Sequence, residues 1–356
     1  MTKTIGFGFI GLGGMARAHL RSIRRFPDAA VTAVCDVSAE GARAFAAEAG
    51  GVPEERIYAD YRALVADPAV DVVVCVTPND THAGVIRACL EAGKPFMAEK
   101  PFTRTFEEAE ELIALYRERP VPNMIGFSYR YQPQFRLARE LVRSGKLGPI
   151  RHVFIQYLQS WGSAAVGTPL VWRFDKAVTG TGTLGDLGSH MIDTARFLIG
   201  EFEEVSGRLA TLIPERKHPA TGALAPVEVD DFACFHASLA GGVPAVFQTT
   251  RNALGSGNQH EAYIYGDFGT LFVSSENART VTWIHKTLEE PEAVREELPV
   301  SAEGGVDQWD EFMKLLRGER SDLVTTVEDG YVNQEVMEAI LASERRKAVV
   351  SLPYRQ

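Results

Sequence analysis

Ile5-Gly6-Phe7-Gly8-Phe9-Ile10-Gly11-Leu12-Gly13-Gly14-Met15-Ala16 is the stretch on which the fold of this chain turns. Its first six residues, apolar or glycine, read as a buried strand, and the G-x-G-x-x-A run after them leads into helical periodicity. Gly11 makes the tight turn, Gly13 lets the backbone approach a pyrophosphate, and Ala16 permits close packing of helix on strand, with Gly14 and Met15 completing a dinucleotide-binding turn. The next strand ends Ala33-Val34-Cys35-Asp36, twenty residues past Ala16. A carboxylate at Asp36 accepts hydrogen bonds from an adenosine ribose diol and repels a 2′-phosphate. Val37 and Ser38 bring no arginine to relieve that repulsion, so NAD is expected rather than NADP.

Outward from this turn, apolar runs at 31–36, 70–76 and 96–99 alternate with helical patterns, as in a parallel sheet wound with helices. A Rossmann domain over residues 1–122 follows. Beyond Pro120 and Pro122 the pattern changes to a helix over 133–144 and period-2 runs at 151–157, 205–212, 229–239, 245–251 and 261–265, with Gly241-Gly242 among the turns. Residues 123–356 are therefore expected to form an α+β domain on a large, predominantly antiparallel open sheet. Loops are expected at 159–182, 214–227 and 286–305. The overall class is α/β, in two domains, as a length of 356 residues leads one to expect.

Composition narrows the function. A formal charge of -10 disfavours nucleic acid, whose phosphates require a clustered basic face. No apolar run of roughly eighteen residues occurs and no charged-then-apolar leader opens the sequence, so a cytoplasmic protein with no membrane partner is expected. Cys35, Cys75, Cys89 and Cys234 lie far apart and imply neither a disulfide framework nor a metal site.

Two further segments carry chemistry. Val76-Thr77-Pro78-Asn79-Asp80-Thr81-His82 closes one strand, and Phe96-Met97-Ala98-Glu99-Lys100-Pro101 closes the next. Later, Gly182-Thr183-Leu184-Gly185-Asp186-Leu187-Gly188-Ser189-His190-Met191-Ile192-Asp193 has an apolar stripe at helical spacing through Leu198. At ~100° per residue, Asp186, His190 and Asp193 share an arc of roughly 60° on a neighbouring face. An aspartate and a histidine four apart are also an ordinary exposed pair. Here they share a chain with a dinucleotide turn and a lysine at the carboxyl end of a Rossmann strand, a combination suited to alcohol oxidation, which needs a base for the hydroxyl proton. One histidine among these acids matches no recognised metal spacing, and no metal is expected.

These motifs, with Gly126-Phe127-Ser128-Tyr129-Arg130-Tyr131, closely resemble the glucose-fructose oxidoreductase / inositol dehydrogenase (Gfo/Idh/MocA) family across essentially the whole chain. The resemblance implies that Thr77, Pro78, Asn79 and His82 lie beside the cofactor with Glu99 and Lys100, His82 packing by the nicotinamide, and that the bond before Pro101 is cis. It further implies that Lys100 polarises the reacting oxygen, His190 takes the proton, Asp186 holds the substrate or orients the imidazole, and Asp193 binds a neighbouring hydroxyl. His19 is read as a helix residue with no proton to move. A sugar or cyclitol also needs flat apolar surfaces and dense polar contacts. Trp161 and Trp172 are candidates for the first, and Tyr129, Arg173, Arg251, Asn258 and His260 for the second.

The expected activity is oxidation of a secondary hydroxyl of a cyclic polyol or pyranose, the motifs looking most like the inositol, levoglucosan and free-sugar branch. Relatives that are glycosidases using transient oxidation, or non-catalytic NAD-binding regulators, are the alternatives. A homodimer or homotetramer, associating through the open sheet, is expected.

Overall fold

The computed structural model describes residues 4–286, 288–289, 292–301 and 307–354. The chain divides into two compact units, the first being the chain through Gly126 together with Asp307–Tyr331. In it, β1 (Ile5–Ile10), β2 (Ala29–Cys35), β3 (Ile57–Tyr58), β4 (Val72–Cys75), β5 (Phe96–Ala98) and β6 (Asn123–Ile125) form a parallel sheet in the order β3-β2-β1-β4-β5-β6. Helices α1 (Gly14–Ile23), α2 (Ala39–Glu48), α3 (Tyr61–Ala66), α4 (Asn79–Ala92) and α5 (Phe106–Glu118) connect them. β4 and β5 are buried along their whole length, as expected of strands covered on both faces.

The expected boundary at 122/123 falls inside this unit. β6 pairs with β5, because Asn123-Met124-Ile125 is a short buried strand whose flanking prolines read as a domain edge. The chain also returns to the first unit through helix Gln308–Leu316. Trp309, Phe312 and Met313 join the core of Phe7, Phe9, Leu20, Phe45 and Val74, with the Trp309 ring edge-on to Phe7 at 5.9 Å.

The second unit begins at Phe127 with a 3₁₀ turn, Ser128–Tyr131, and α6 (Pro133–Arg143). Then come β7 (Ile150–Leu158), α7 (Lys176–Thr179), α8 (Ser189–Leu198), β8 (Phe202–Ala210), β9 (Glu215–Lys217), β10 (Leu224–Pro226), β11 (Phe232–Leu239), β12 (Val243–Thr250), β13 (Gln259–Gly266), β14 (Gly269–Ser274), β15 (Thr280–His285), β16 (Val294–Pro299) and β17 (Val350–Ser351). Nine of these strands form one sheet in the order β16-β15-β14-β13-β7-β12-β11-β8-β17. Every neighbouring pair is antiparallel except β7 and β12.

Two expected loops contain strands. β9 and β10 form a hairpin within 214–227, and β16 lies within 286–305, where a charged sequence concealed an exposed edge strand. Residues 287, 290–291 and 302–305 of that loop lie outside the described residues. One face of the sheet is core, with Phe235 stacked on Phe247 at 4.3 Å. The opposite face carries Phe154, Tyr263, Tyr265, Phe272 and Val246, partly exposed, with Tyr263 packed on Phe272 at 4.5 Å. Among the described residues no helix is long and apolar enough to cross a membrane.

Candidate active site

The dinucleotide turn shows why its glycines are there. Gly11 has φ +80°, and a Cβ on it would lie 2.7 Å from the Val76 carbonyl oxygen, so the turn is pressed against the end of β4. Gly13 and Gly14 differ, since no atom lies within 4 Å of where their Cβ would sit. The fold leaves room for a Cβ there, whereas a pyrophosphate approaching the backbone would not. The first turn of α1 has neither an acidic residue nor a side-chain cap, leaving the positive end of the helix to an anion. Met15 is half-exposed beside it.

Asp36 Oδ2 accepts the Leu12 N–H at 2.8 Å and Oδ1 accepts the Ser38 N–H at 2.9 Å. These bonds lock the carboxylate to the glycine turn, and each oxygen keeps a further acceptor site for a ribose hydroxyl. The donors, the open backbone and the acid together fit NAD.

At the ends of β4 and β5, His82 is 1% exposed, with Nδ1 2.8 Å from the Pro101 oxygen and Nε2 3.0 Å from the Thr77 oxygen. Burial lowers its pKa, although both carbonyls and Glu99 oppose that fall. The structure therefore makes His82 a brace between the two loops rather than an exposed ring. Pro78 caps α4, Asn79 is buried in its first turn, and the Thr77 hydroxyl meets the Cys75 thiol at 3.4 Å. The Lys100–Pro101 bond is cis, and Glu99 Oε2 accepts the Lys100 main-chain N–H at 3.2 Å.

In the second unit, the helix expected from 184 begins with a π turn, Leu184–Gly188, before α8. Asp230, a residue the sequence did not single out, organises this start. Its carboxylate accepts the N–H groups of Gly182 at 2.7 Å and Leu184 at 2.8 Å. A Cβ on Gly182 would fall 1.7 Å from the Asp230 carbonyl oxygen, so only glycine fits. Burial raises the Asp230 pKa against the pull of those N–H groups and Arg251.

The three ionisable groups on the shared arc take separate partners. Asp186 Oδ2 accepts from Arg251 Nη2 at 2.9 Å. Arg251 is 1% exposed, also donates to the carbonyls of Gly182 and Arg173, and lies 4.9 Å over the Trp161 ring. It braces Asp186 and is too enclosed for the substrate contact expected of it. Asp193 is 1% exposed and accepts from Arg130 Nη2 and, at 3.2 Å, from Nε. α8 turns it towards Arg130 in the interior of the second unit.

His190 lies against an aromatic wall, edge-on to Tyr129 at 4.9 Å, to Phe127 at 6.3 Å and near Tyr157 at 6.0 Å. Polar bonds run along that wall. The Tyr129 and Tyr157 hydroxyls are 2.7 Å apart, Asn258 Nδ2 donates to Tyr129 at 2.7 Å, Gln159 donates to Asn258 at 2.7 Å, and Trp161 donates to Gln159 at 2.6 Å. Burial raises the pKa of both tyrosines, keeping them neutral donors. His260 is fully buried, bonded to Thr194 at 2.8 Å and stacked on Phe135, so it supports this wall. Trp172 is exposed, with the Arg173 guanidinium 4.4 Å over its ring. Asp230, Arg130 and Tyr157 were missed because each acts through a partner tens of residues away.

Residues 5–127 match a family described as oxidoreductases with an NAD-binding Rossmann fold, and residues 135–272 match the Gfo/Idh/MocA C-terminal domain. A levoglucosan dehydrogenase of Pseudarthrobacter phenanthrenivorans is 36% identical over 291 residues, covering 77% of this chain and 74% of that protein. An inositol 2-dehydrogenase of Rhizobium meliloti is 29% identical over 78% of each chain. A solved levoglucosan dehydrogenase in complex with NADH and L-sorbose superposes with a TM-score of 0.90 at 28% identity, covering 99% of this chain and all of that one. With the glycine turn, Asp36 and the Glu99-Lys100-Pro101 motif in place, the chain belongs to the Gfo/Idh/MocA family of NAD-binding sugar and polyol oxidoreductases.

Proposed function

We propose that this protein oxidises one secondary hydroxyl of a free pyranose, an anhydrosugar or a cyclic polyol to a ketone. The observation that carries the reading is the wall of hydrogen-bonded Tyr129, Tyr157, Asn258 and Gln159 beside His190 and Trp161, in a chain similar over three quarters of its length to a levoglucosan dehydrogenase. The accessible end of the wall, Asn258, Gln159 and Trp161, offers ring C–H faces an aromatic plane and hydroxyls donors and acceptors, with Tyr129 and Tyr157 buried behind as its support.

The Gly11–Ala16 turn and Asp36 would hold NAD, which would supply the hydride acceptor for the carbinol carbon. Lys100 supplies positive charge to the alkoxide that develops as the O–H bond breaks. His190 takes the proton. Burial of its Nδ1 supports Nε2 as the accepting atom. Asp186, held by Arg251, orients the substrate or the imidazole, and Trp172 with Arg173 lines the approach.

Incubation with NAD and a panel of pyranoses, anhydrosugars and inositols, followed by NADH absorbance, tests the reading. Net NADH from at least one free sugar or cyclitol is expected. Retained cofactor with glycoside cleavage and no net NADH would replace it by the transient-oxidation chemistry. On the identified substrate, Lys100→Met and His190→Ala should each lower kcat by roughly 10²- to 10⁴-fold. The double variant should lose much less than the product of the single losses. Near-wild-type turnover in either single variant removes that residue from the mechanism.

A further inference from the structure

His19, on α1 just past the glycine turn, is 2% exposed and has a different partner on each ring nitrogen. Trp309 Nε1 lies 3.0 Å from Nδ1, and Glu99 Oε1 lies 2.9 Å from Nε2. An indole N–H only donates, so Nδ1 is the accepting nitrogen and carries no proton. The proton therefore sits on Nε2 and is given to Glu99. With Glu99 Oε2 accepting the Lys100 main-chain N–H, a directed series of hydrogen bonds runs from Trp309 through His19 to the carboxylate before Lys100. The Trp309 ring is fully buried and wedged edge-on against both Phe7 and His19, so it cannot turn its donor away. All of these residues belong to the first unit.

The titratable groups facing Glu99 are His19 from α1, Cys75 from β4, His82 from α4 and Lys100 beside it. Burial pushes the Cys75 thiol up to about 11 and His82 down. For Glu99, burial acts to raise the pKa, but the His19 hydrogen bond, the Lys100 charge and the Lys100 main-chain N–H hold it below the ordinary range.

We propose that His19 and Trp309 are positioning residues for Lys100: the indole fixes the imidazole as its Nε2–H tautomer, and that N–H holds Glu99 as a carboxylate turned onto the Lys100 main chain. Only the kinetic consequence rests on the proposed role of Lys100, since tautomer and carboxylate are observable without substrate.

In the full-length protein labelled with ¹⁵N-histidine, His19 should show a protonated Nε2 and a bare Nδ1. The opposite assignment overturns the lock. Infrared spectra at neutral pH should gain a protonated-carboxyl band in His19→Leu that disappears in His19→Leu/Glu99→Gln. His19→Gln, which retains a donor and an acceptor, should lack the band. A carboxylate that stays ionised in His19→Leu overturns the role of His19.

On a turned-over substrate, kcat should fall about 10- to 100-fold in His19→Leu and recover to within about threefold in His19→Gln, with the KM for NAD unchanged. An unchanged kcat alongside the protonated carboxyl overturns the positioning role and leaves the substrate assignment intact. If His19→Leu fails to fold, Trp309→Phe keeps the bulk against Phe7 and removes only the N–H. The Nδ1 signal should then move from its wild-type position, and an unmoved signal overturns the lock.

Discussion

Arg251→Met separates a carboxylate that is held from one that is free. Methionine keeps much of the packing against Trp161 and removes the charge and the donors to Asp186, Gly182 and Arg173. Removing one member of a fully buried ion pair costs about 3 to 5 kcal/mol. The Asp186 side chain keeps 22% of its surface exposed, so water offsets part of that loss. We expect about 2 to 3 kcal/mol, the two orphaned carbonyls included. In a unit of about 150 to 250 residues this lowers Tm by roughly 4 to 12 °C.

Calorimetry on the ligand-free protein reads the shift. Arg251→Lys should fall between wild type and Arg251→Met, since an ammonium restores the charge but not the planar fork. Asp186→Asn should also lower Tm, because it strips the counter-charge from a guanidinium that is 1% exposed. The double variant should lose less than the sum of the two. A Tm for Arg251→Met within about 2 °C of wild type would refute the reasoning and return Asp186 to the status of an ordinary surface acid.

Burial pushes His260 from 6.5 down to about 3, so it is neutral when folded and takes a proton more readily when unfolded. Its contribution is full above pH 6.5 and declines as pH falls towards 3, by up to about 1.4 kcal/mol per pH unit. His260→Gln should flatten the Tm profile across that window, and a profile parallel to wild type would contradict it. Gly13→Ala should leave Tm within about 2 °C of wild type, since nothing lies within 4 Å of the new Cβ, yet weaken NADH binding in a fluorescence titration. Equal affinity would mean that the open backbone does not receive the pyrophosphate. The partly exposed aromatic face around Tyr263 and Phe272 should pair with a second copy. Light scattering at micromolar concentration should give a dimer or tetramer, and Tyr263→Asp should shift it towards monomer. A wild-type monomer would dismiss that interface.

Local chemistry was enough to read part of this protein. Gly11 answers to its positive φ and Ala16 to its buried contact with the sheet, and both demands fall on a residue's own backbone or Cβ. Such constraints leave a signature at fixed spacing, and so do the apolar runs of β1, β4 and β5. Helical spacing likewise placed Asp186, His190 and Asp193 on one arc. It could not say which of them faces a ligand, because the deciding groups come from elsewhere in the chain. Arg251 follows β12, 65 residues from Asp186, and Arg130 lies 63 residues from Asp193. The π turn that starts the helix depends on Asp230, 48 residues past Gly182.

The same limit governs the first unit. His19 read alone is a histidine on an amphipathic helix. It becomes a directed donor only when the returning segment brings Trp309 to its Nδ1 across 290 residues. Periodicity and turn chemistry are written in neighbouring residues, so the sequence by itself determined the two folds, the NAD turn and the residue types proposed for the site. Hydrogen-bond direction, burial and charge pairing depend on atoms that meet only after folding, so the tertiary structure alone decided which acids are bound to arginine and which nitrogen of His19 carries the proton.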